Sequence, residues 1–418
     1  MKKICLTVVG LYILLLHAFA QISTKDTAAY KAKPLALEEV NLVTSYYSQD
    51  GNHSPITGGI GSEKVTDLAN MLELKLVGHS KGFSKHTLTA GLGVDHHTAA
   101  SAAYVNKSGA SSTDGTRVYP SLNWTIENEK KGTEIGFGTY YSTEYNYKSF
   151  AFDAHFAKKI TNNSEISFKA SAYLDQVKLI YPSELIPNAT TTANGTVYIT
   201  TPSGVTTTLS SGGSKNKDEI PSSPRNTFTA SLSFSQVINK RLQAALFVDA
   251  IAQNGYLGLP FHRVYFTNGT EKVENLPSSR TKIPLGVRLN YFAGDKVILR
   301  TYYRYYIDDW GLAAHTASIE VPYKFSSFFS VSPFFRYYSQ TASKYFAPYA
   351  SHKTTDAYYT SNYSQSTFNS TFFGAGVRIA PPKGLFNSHL SSLEIRYGHY
   401  GQTTDLFSDV ITMEFKFK

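Results

Sequence analysis

The segment Asp50-Gly51-Asn52-His53-Ser54 gathers residue types that hydrolytic or metal chemistry uses. His53 beside Ser54 has the composition of a base and a nucleophile. Adjacent residues on a strand point to opposite faces, so this pair is poorly placed to share a proton. Gly51, Pro55, Gly58, Gly59 and Gly61 make the segment more loop than strand. A polar hairpin, or a loop folded back to a rim, is the simpler reading. Asp50, Asn52 and Glu63 are candidate oxygen ligands for a cation such as calcium, although their spacing is not that of a calcium-binding loop. His96 and His97 point apart and do not easily chelate one metal. Asp308-Asp309-Trp310-Gly311 reads as a tight acidic turn with a rim aromatic. Glycine-rich phosphate loops, zinc spacings and thiol pairs are absent. The reading assigns no catalytic residue, cofactor or metal, and the chain is not expected to be an enzyme.

The remaining charges follow another pattern: within a segment they recur at even spacings, multiples of two. Arg117, Glu127, Glu134, Asp153, His155, Glu165, Lys169 and Asp175 do so in the first half. Lys282, Arg288, Arg300, Arg304, Asp308, Glu320, Arg336, Arg378, Glu394 and Arg396 do so in the second. Spacing two is the period of a β-strand. Between these charges stand apolar residues, as in Val118, Pro120, Leu122, Trp124 and Ile126 alternating with Tyr119, Ser121, Asn123, Thr125 and Glu127.

Sixteen segments carry this alternation, at 38–49, 65–77, 86–98, 116–128, 132–143, 148–159, 164–176, 225–238, 241–254, 281–292, 296–308, 311–323, 327–340, 367–380, 389–400 and 407–418. Tilted strands of such length cross a bilayer. The gaps alternate between short turns, such as Glu129-Lys130-Lys131, Asn239-Lys240 and Ala293-Gly294-Asp295, and long polar loops at 50–64, 99–115, 177–224, 255–280 and 341–366. The expected fold is all-β: a membrane-spanning, antiparallel, up-and-down barrel of 16 strands, with 14 as the next choice. Thr190 to Gly213 reads as a mobile low-complexity stretch within the longest loop.

One face of the strands is free of charge and holds Leu88, Leu92, Ile135, Phe137, Phe168, Leu232, Leu285 and Met413; it is expected to face lipid. The other face is expected to face the lumen. Its arginines and carboxylates either line a wet passage or pair across the lumen and fill it. Glu320 is expected to pair with Arg300, Arg304 and Arg336. Inward glycines such as Gly91, Gly93, Gly374 and Gly376 let other groups approach the wall.

Composition fits. Charged residues are 17% of the chain, against about 25% usually. Aromatics are 14%, led by 30 Tyr and 26 Phe, as interfacial girdles require. Mean hydropathy of −0.23 is no obstacle, because only every second strand residue meets lipid. The net charge of +9 is spread along strands, unlike a nucleic-acid footprint, so no nucleic-acid partner is expected.

At the N-terminus, Lys2 and Lys3 precede an apolar run from Ile4 to Leu16, and Ala18-Phe19-Ala20 offers a small-x-small cleavage site. Residues 1–20 therefore read as a signal peptide, 21–37 as a periplasmic lead and 38–418 as the barrel. The only cysteine, Cys5, would leave with the signal. Both termini are expected in the periplasm and the long loops outside the cell. The alternating aromatic end, Ile411 to Lys418, resembles the strand by which barrels are handed to the barrel assembly machinery. The other expected partners are outer-membrane lipids, lipopolysaccharide and a small polar or anionic solute.

Four segments carry a family resemblance. They are Tyr46 to Ser54 with Gly58 to Glu63; Thr116-Arg117-Val118-Tyr119-Pro120; Tyr303 to Gly311 with His315; and Arg336 to Ala342. Together they resemble the bacterial domain of unknown function 3570 family, from about residue 38 to the C-terminus. The resemblance implies an outer-membrane protein of a Gram-negative bacterium, in a style common among the Bacteroidota. It brings no activity and no catalytic residue. His262 stands where such proteins usually carry Pro or Tyr before Arg.

The functional expectation is a channel or porin for small polar solutes. The alternatives are a structural or assembly component with a plugged barrel, and a barrel hydrolase.

Overall fold

A computed structural model describes residues 32–80, 82–99, 114–182, 185, 189–191, 197–200, 206–209 and 221–418. Residues 1–31, which hold the expected signal peptide and most of the expected lead, lie outside the described residues.

The alternating segments form β1 (Lys33–Asp50), β2 (Val65–Ser80), β3 (Ser84–Ala99), β4 (Asp114–Asn128), β5 (Thr133–Thr143) and β6 (Tyr147–Thr161). They continue as β7 (Ser164–Lys178), β8 (Ser222–Asn239), β9 (Leu242–Gly255), β10 (Ser279–Ala293) and β11 (Val297–Asp308). The last are β12 (Ala313–Glu320), β13 (Phe329–Gln340), β14 (Phe368–Ile379), β15 (Leu390–Gln402) and β16 (Leu406–Phe417). Each pairs antiparallel with the next, and β1 pairs with β16 from Val40↔Phe417 to Asp50↔Phe407. The result is a closed barrel of 16 strands. Closure leaves no strand edge unpaired, which a bilayer demands.

Most boundaries shift by a few residues from the sequence reading, and two shifts have a plain cause. β1 reaches back to Lys33, into the segment read as an irregular lead, because Lys33–Asp50 continues to pair with β2 as far as Lys33↔His79. β12 stops at Glu320, and the run resumes only as Tyr323–Lys324; Pro322 between them cannot donate to the ladder.

The register fixes the faces. Leu92 pairs with Pro120 and Trp124 with Phe137, and these side chains point outward. Phe137 is 57% exposed, Phe168 47% and Leu246 55%. Such an apolar surface is incompatible with water and suits lipid. Tyr46, Tyr141, Phe150, Tyr337 and Phe407 stand on it near the long-loop end, and Trp124, Tyr291, Tyr323 and Phe325 near the short-turn end.

The barrel wall is thin, so the buried core lies elsewhere. It sits in the long loops. Arg263–Tyr265 pairs with Glu271–Val273 as a small hairpin between β9 and β10. Val264 and Phe266 of this loop pack on Tyr359 of the loop between β13 and β14. In sequence both loops are simply polar gaps between alternating segments. Within the 177–224 loop, the described residues include the strands Ala189–Thr191, Val197–Thr200 and Thr206–Leu209, paired antiparallel.

Candidate functional site

Alternation along β10 to β15 places one set of side chains on the face opposite the apolar belt. Three rungs of the ladder matter. Arg288, Tyr302, Ser318, Arg336 and Phe372 are register partners across β10, β11, β12, β13 and β14. One step toward the short turns lie Asn290, Arg300, Glu320, Phe334 and Gly374. One step the other way lie Gly286, Arg304, Thr316 and Tyr338. A lumenal cavity of about 710 Å³ is lined by Arg288, Arg300, Tyr302, Glu320, Arg336 and Arg396, among others.

Ion pairs cross this wall unevenly. Glu320 lies 3.7 Å from Arg300 and 3.3 Å from Arg396. Glu394 lies 3.2 Å from Arg396 and 3.9 Å from Arg378. Two carboxylates thus serve three guanidinium groups. The expectation that Glu320 would pair with the whole group of Arg300, Arg304 and Arg336 is therefore corrected: its second partner is Arg396, three strands away. The glycines make this reach possible. A Cβ at Gly374 or Gly398 would meet the Phe334 ring at 2.8 or 3.3 Å, so Phe334 lies flat on the wall. Arg396 then crosses above that ring, 5.1 Å from its centroid.

Arg288 and Arg336 lie on aromatic rings. Arg288 sits 5.1 Å from the Phe247 centroid and 5.8 Å from that of Tyr302; Arg336 sits 4.8 Å from that of Phe372. Among the described residues, neither has a carboxylate within ion-pair distance. The Arg304 Nε is buried and has no hydrogen-bond partner there.

The opposite wall is organised differently. Arg117 donates to Ser142 Oγ at 3.0 Å and Tyr140 Oη at 2.8 Å, and covers the Tyr119 ring. Tyr119 donates to Asp95 at 2.6 Å. Lys159 meets Glu127 at 3.6 Å, Lys169 meets Asp153 at 3.1 Å, and His155 meets Glu134 at 3.3 Å. Most of these charges come in one-to-one pairs.

At the long-loop mouth, Arg280 pairs with Asp308, which also accepts Tyr306 Oη at 2.8 Å and the Leu312 N–H at 3.0 Å. The Asp308 side chain is fully buried. Arg280 lies over Trp310, whose indole N–H donates to the Ser279 carbonyl at 2.9 Å. Trp310 is 3% exposed, so the aromatic read as a rim residue is an anchor, packed edge-on against Tyr345 of the next loop.

Three loops meet there and form a cap. Arg225, on the inner face of β8, donates to the Tyr256 and Gly258 carbonyls at 2.8 and 2.7 Å. Gln340 donates to the Ser364 carbonyl, and Gln49 to that of Glu63. Arg263 donates to the Ile56 carbonyl at 2.9 Å, tying the cap to the first loop. Glu274 is buried in the cap. Burial favours its neutral form, but His262 at 3.7 Å, the Thr360 hydroxyl and the Leu259 N–H outweigh this and hold its pKa below the ordinary 4.5. A cavity of about 230 Å³ separates Leu259, Glu274 and Gln365 of the cap from Arg225, Gln253 and Arg280 of the wall.

His53 and Ser54 are not brought together as base and nucleophile. The His53 ring stacks on Tyr363 at 3.7 Å and its Nδ1 contacts the Gly59 carbonyl at 3.0 Å, while Ser54 is buried. Asp50 and Asn52 are exposed, and the Glu63 carboxylate covers Gly51. Burial raises the Glu63 pKa, with the His53 charge opposing. Among the described residues, no group of three His, Cys, Asp or Glu side chains is placed to hold a metal. The segment closes a loop.

Sequence reasoning missed Arg225, Arg280, Gln340 and Trp310 as anchors. Arg225 and Arg280 were legible: each stands at spacing two from an inward residue, Thr227 or Lys282.

A closed barrel with an apolar belt outside and charged residues inside defines a membrane-spanning β-barrel protein. The family model described as "Protein of unknown function (DUF3570)" matches residues 37–403, and the chain belongs to that family. Comparison with curated protein sequences gives no match. Among solved structures, OccD3 (OpdP) of Pseudomonas aeruginosa is similar, with 8% identity, a TM-score of 0.44, and coverage of 95% of this chain and 96% of that one. OpdQ of the same organism gives 8% identity, a TM-score of 0.41, and coverage of 91% and 97%. OprD, also from Pseudomonas aeruginosa, gives 9% identity, a TM-score of 0.42, and coverage of 94% and 97%.

Proposed function

We propose that this protein is a channel of the porin type for small polar solutes, with a preference for anions set by the β10–β15 wall. It works in the outer membrane of a Gram-negative bacterium, both termini in the periplasm, after export on residues 1–20 and insertion by the barrel assembly machinery. The observation that carries the reading is the excess of guanidinium groups over carboxylates around the 710 Å³ cavity. Barrels of 16 to 18 strands leave room for water. Fixed positive charge on a wet wall raises the local anion concentration. Liposome swelling tests it: proteoliposomes should swell faster in small sugars than empty vesicles, and equal rates would contradict it.

One observation favours the second reading, a plugged scaffold. The cap has its own buried core and anchors on the inner wall through Arg225 and Gln340. In that reading the capped end presents a rigid outer surface for assembly, and swelling stays at background.

A further inference from the structure

We propose that the lumenal cavity of β10–β13 is a saturable binding site for small organic dianions, with Arg288 and Arg336 each taking one oxyanion group. The inference deepens the channel reading and rests on it for solute access from both sides of the membrane. The ligand class follows from the two arginines. They stand on the same rung, three strand steps apart through Tyr302 and Ser318. At about 4.8 Å per step their Cα atoms are roughly 14 Å apart. Arg288 is held between Phe247 and Tyr302, and Arg336 rests on Phe372, on the side away from Arg288. The forks are thereby separated and fixed. A guanidinium on an aromatic ring keeps its in-plane N–H donors free for a bidentate oxyanion. Among the described residues no carboxylate takes them, whereas Glu320 and Glu394 are engaged by Arg300, Arg378 and Arg396.

The space between the forks suits an elongated polar body. Ser318 and Tyr302 form its floor, and Asn290 lies beside it. The buried Nε of Arg304, which has no hydrogen-bond partner among the described residues, stands one step toward the cap and adds positive charge. A monoanion would engage one fork and leave the other to water. Carboxylate and phosphate ends share the required geometry, so both sources are tested.

Equilibrium binding to the folded, detergent-solubilised full chain is measured with adipate, a dicarboxylate long enough to reach both forks, and with inorganic phosphate and acetate. Adipate should saturate one site and bind roughly tenfold more tightly than acetate, one charged hydrogen-bonded end being worth about that factor. If phosphate binds as tightly as adipate while acetate does not, a single compact oxyanion is the ligand and the two-ended reading is overturned. Arg288→Gln and Arg336→Gln should each reduce adipate affinity roughly to that of acetate. Lys169→Gln, which alters a pair on the opposite wall, should leave it unchanged, and heat-modifiable mobility on gels confirms that each variant folds. Equal, weak binding of all three anions, or indifference to both substitutions, overturns the site. Conductance separates this from the channel reading: binding without conductance refutes the channel and keeps the site, while conductance without saturable binding does the reverse.

Discussion

The carboxylate of Glu320 on β12 lies 3.3 Å from the guanidinium of Arg396 on β15, across two intervening strands. That chord runs over the Phe334 ring, which lies against Gly374 and Gly398. Glu320 also holds Arg300 on the neighbouring strand. One carboxylate therefore restrains two of the cations that line the lumen.

Removing it should strengthen the basic wall. Glu320→Gln is expected to raise anion preference, read as a larger reversal potential under a KCl gradient. The stability cost should be small, about 0–1 kcal/mol for each partly exposed pair. A drop in anion preference would mean that Arg300 and Arg396 need Glu320 to stay in the lumen.

Arg304→Ala combined with Arg336→Ala should lower anion preference while the barrel still folds, since lumen substitutions tune selectivity more than stability. Reversal potential gives the first quantity and heat-modifiable gel mobility the second. Unchanged selectivity in a conducting channel would show these arginines to be structural.

Asp308→Ala should act in the opposite way, on stability. Asp308 is fully buried and holds Arg280, Tyr306 and the Leu312 N–H. Its loss strands a guanidinium at the mouth, at a cost of about 3–5 kcal/mol. Thermal unfolding should register it, and limited proteolysis should open the 341–367 loop, which Trp310 anchors through Tyr345.

The cap should resist mild acid. Glu274 has a depressed folded pKa, so its contribution is present above its unfolded value and is lost as pH falls through the folded one. Pepsin should therefore cut within 256–278 only well below pH 4.5. Glu274→Gln should expose the same segment at neutral pH to other proteases. An onset of cutting above pH 4.5 would contradict the charged, hydrogen-bonded state of Glu274.

Gly93→Ala tests the packing of the wall opposite β10–β15. A Cβ there would collide with the Tyr119 ring, whose hydroxyl is tied to Asp95. Overpacking of this kind costs about 1–3 kcal/mol. Tyr119→Ser in the same chain should recover the loss; no recovery would place the cause in the strand backbone.

The barrel was legible because its signal is local. Each strand announces its two faces with a period of two, and Trp124, Phe137 and Phe168 point outward for the same reason that Glu127, Glu134 and Lys169 point inward. The loop lengths then set the hairpin order. Inside, the pairing of Glu320 with Arg300 on the adjacent strand was legible, but the pairings between more distant elements were not. Glu320 reaches Arg396 over 76 positions of sequence, and Arg263 reaches Ile56 over 207. Such contacts depend on strand stagger and on glycine-made space, which no local pattern encodes. The cap was hidden for a related reason. Val264, Phe266 and Tyr359 are apolar residues in segments that are otherwise polar, and only their meeting makes a core.

Reversal potential in a planar bilayer, measured on the folded full chain under a KCl gradient, tests the central claim most directly. An aqueous lumen with a basic wall predicts discrete conductance steps and a reversal potential of the sign set by chloride, reduced in the Arg304/Arg336 double alanine variant. Folded protein that gives no steps, or steps that favour potassium, would contradict it.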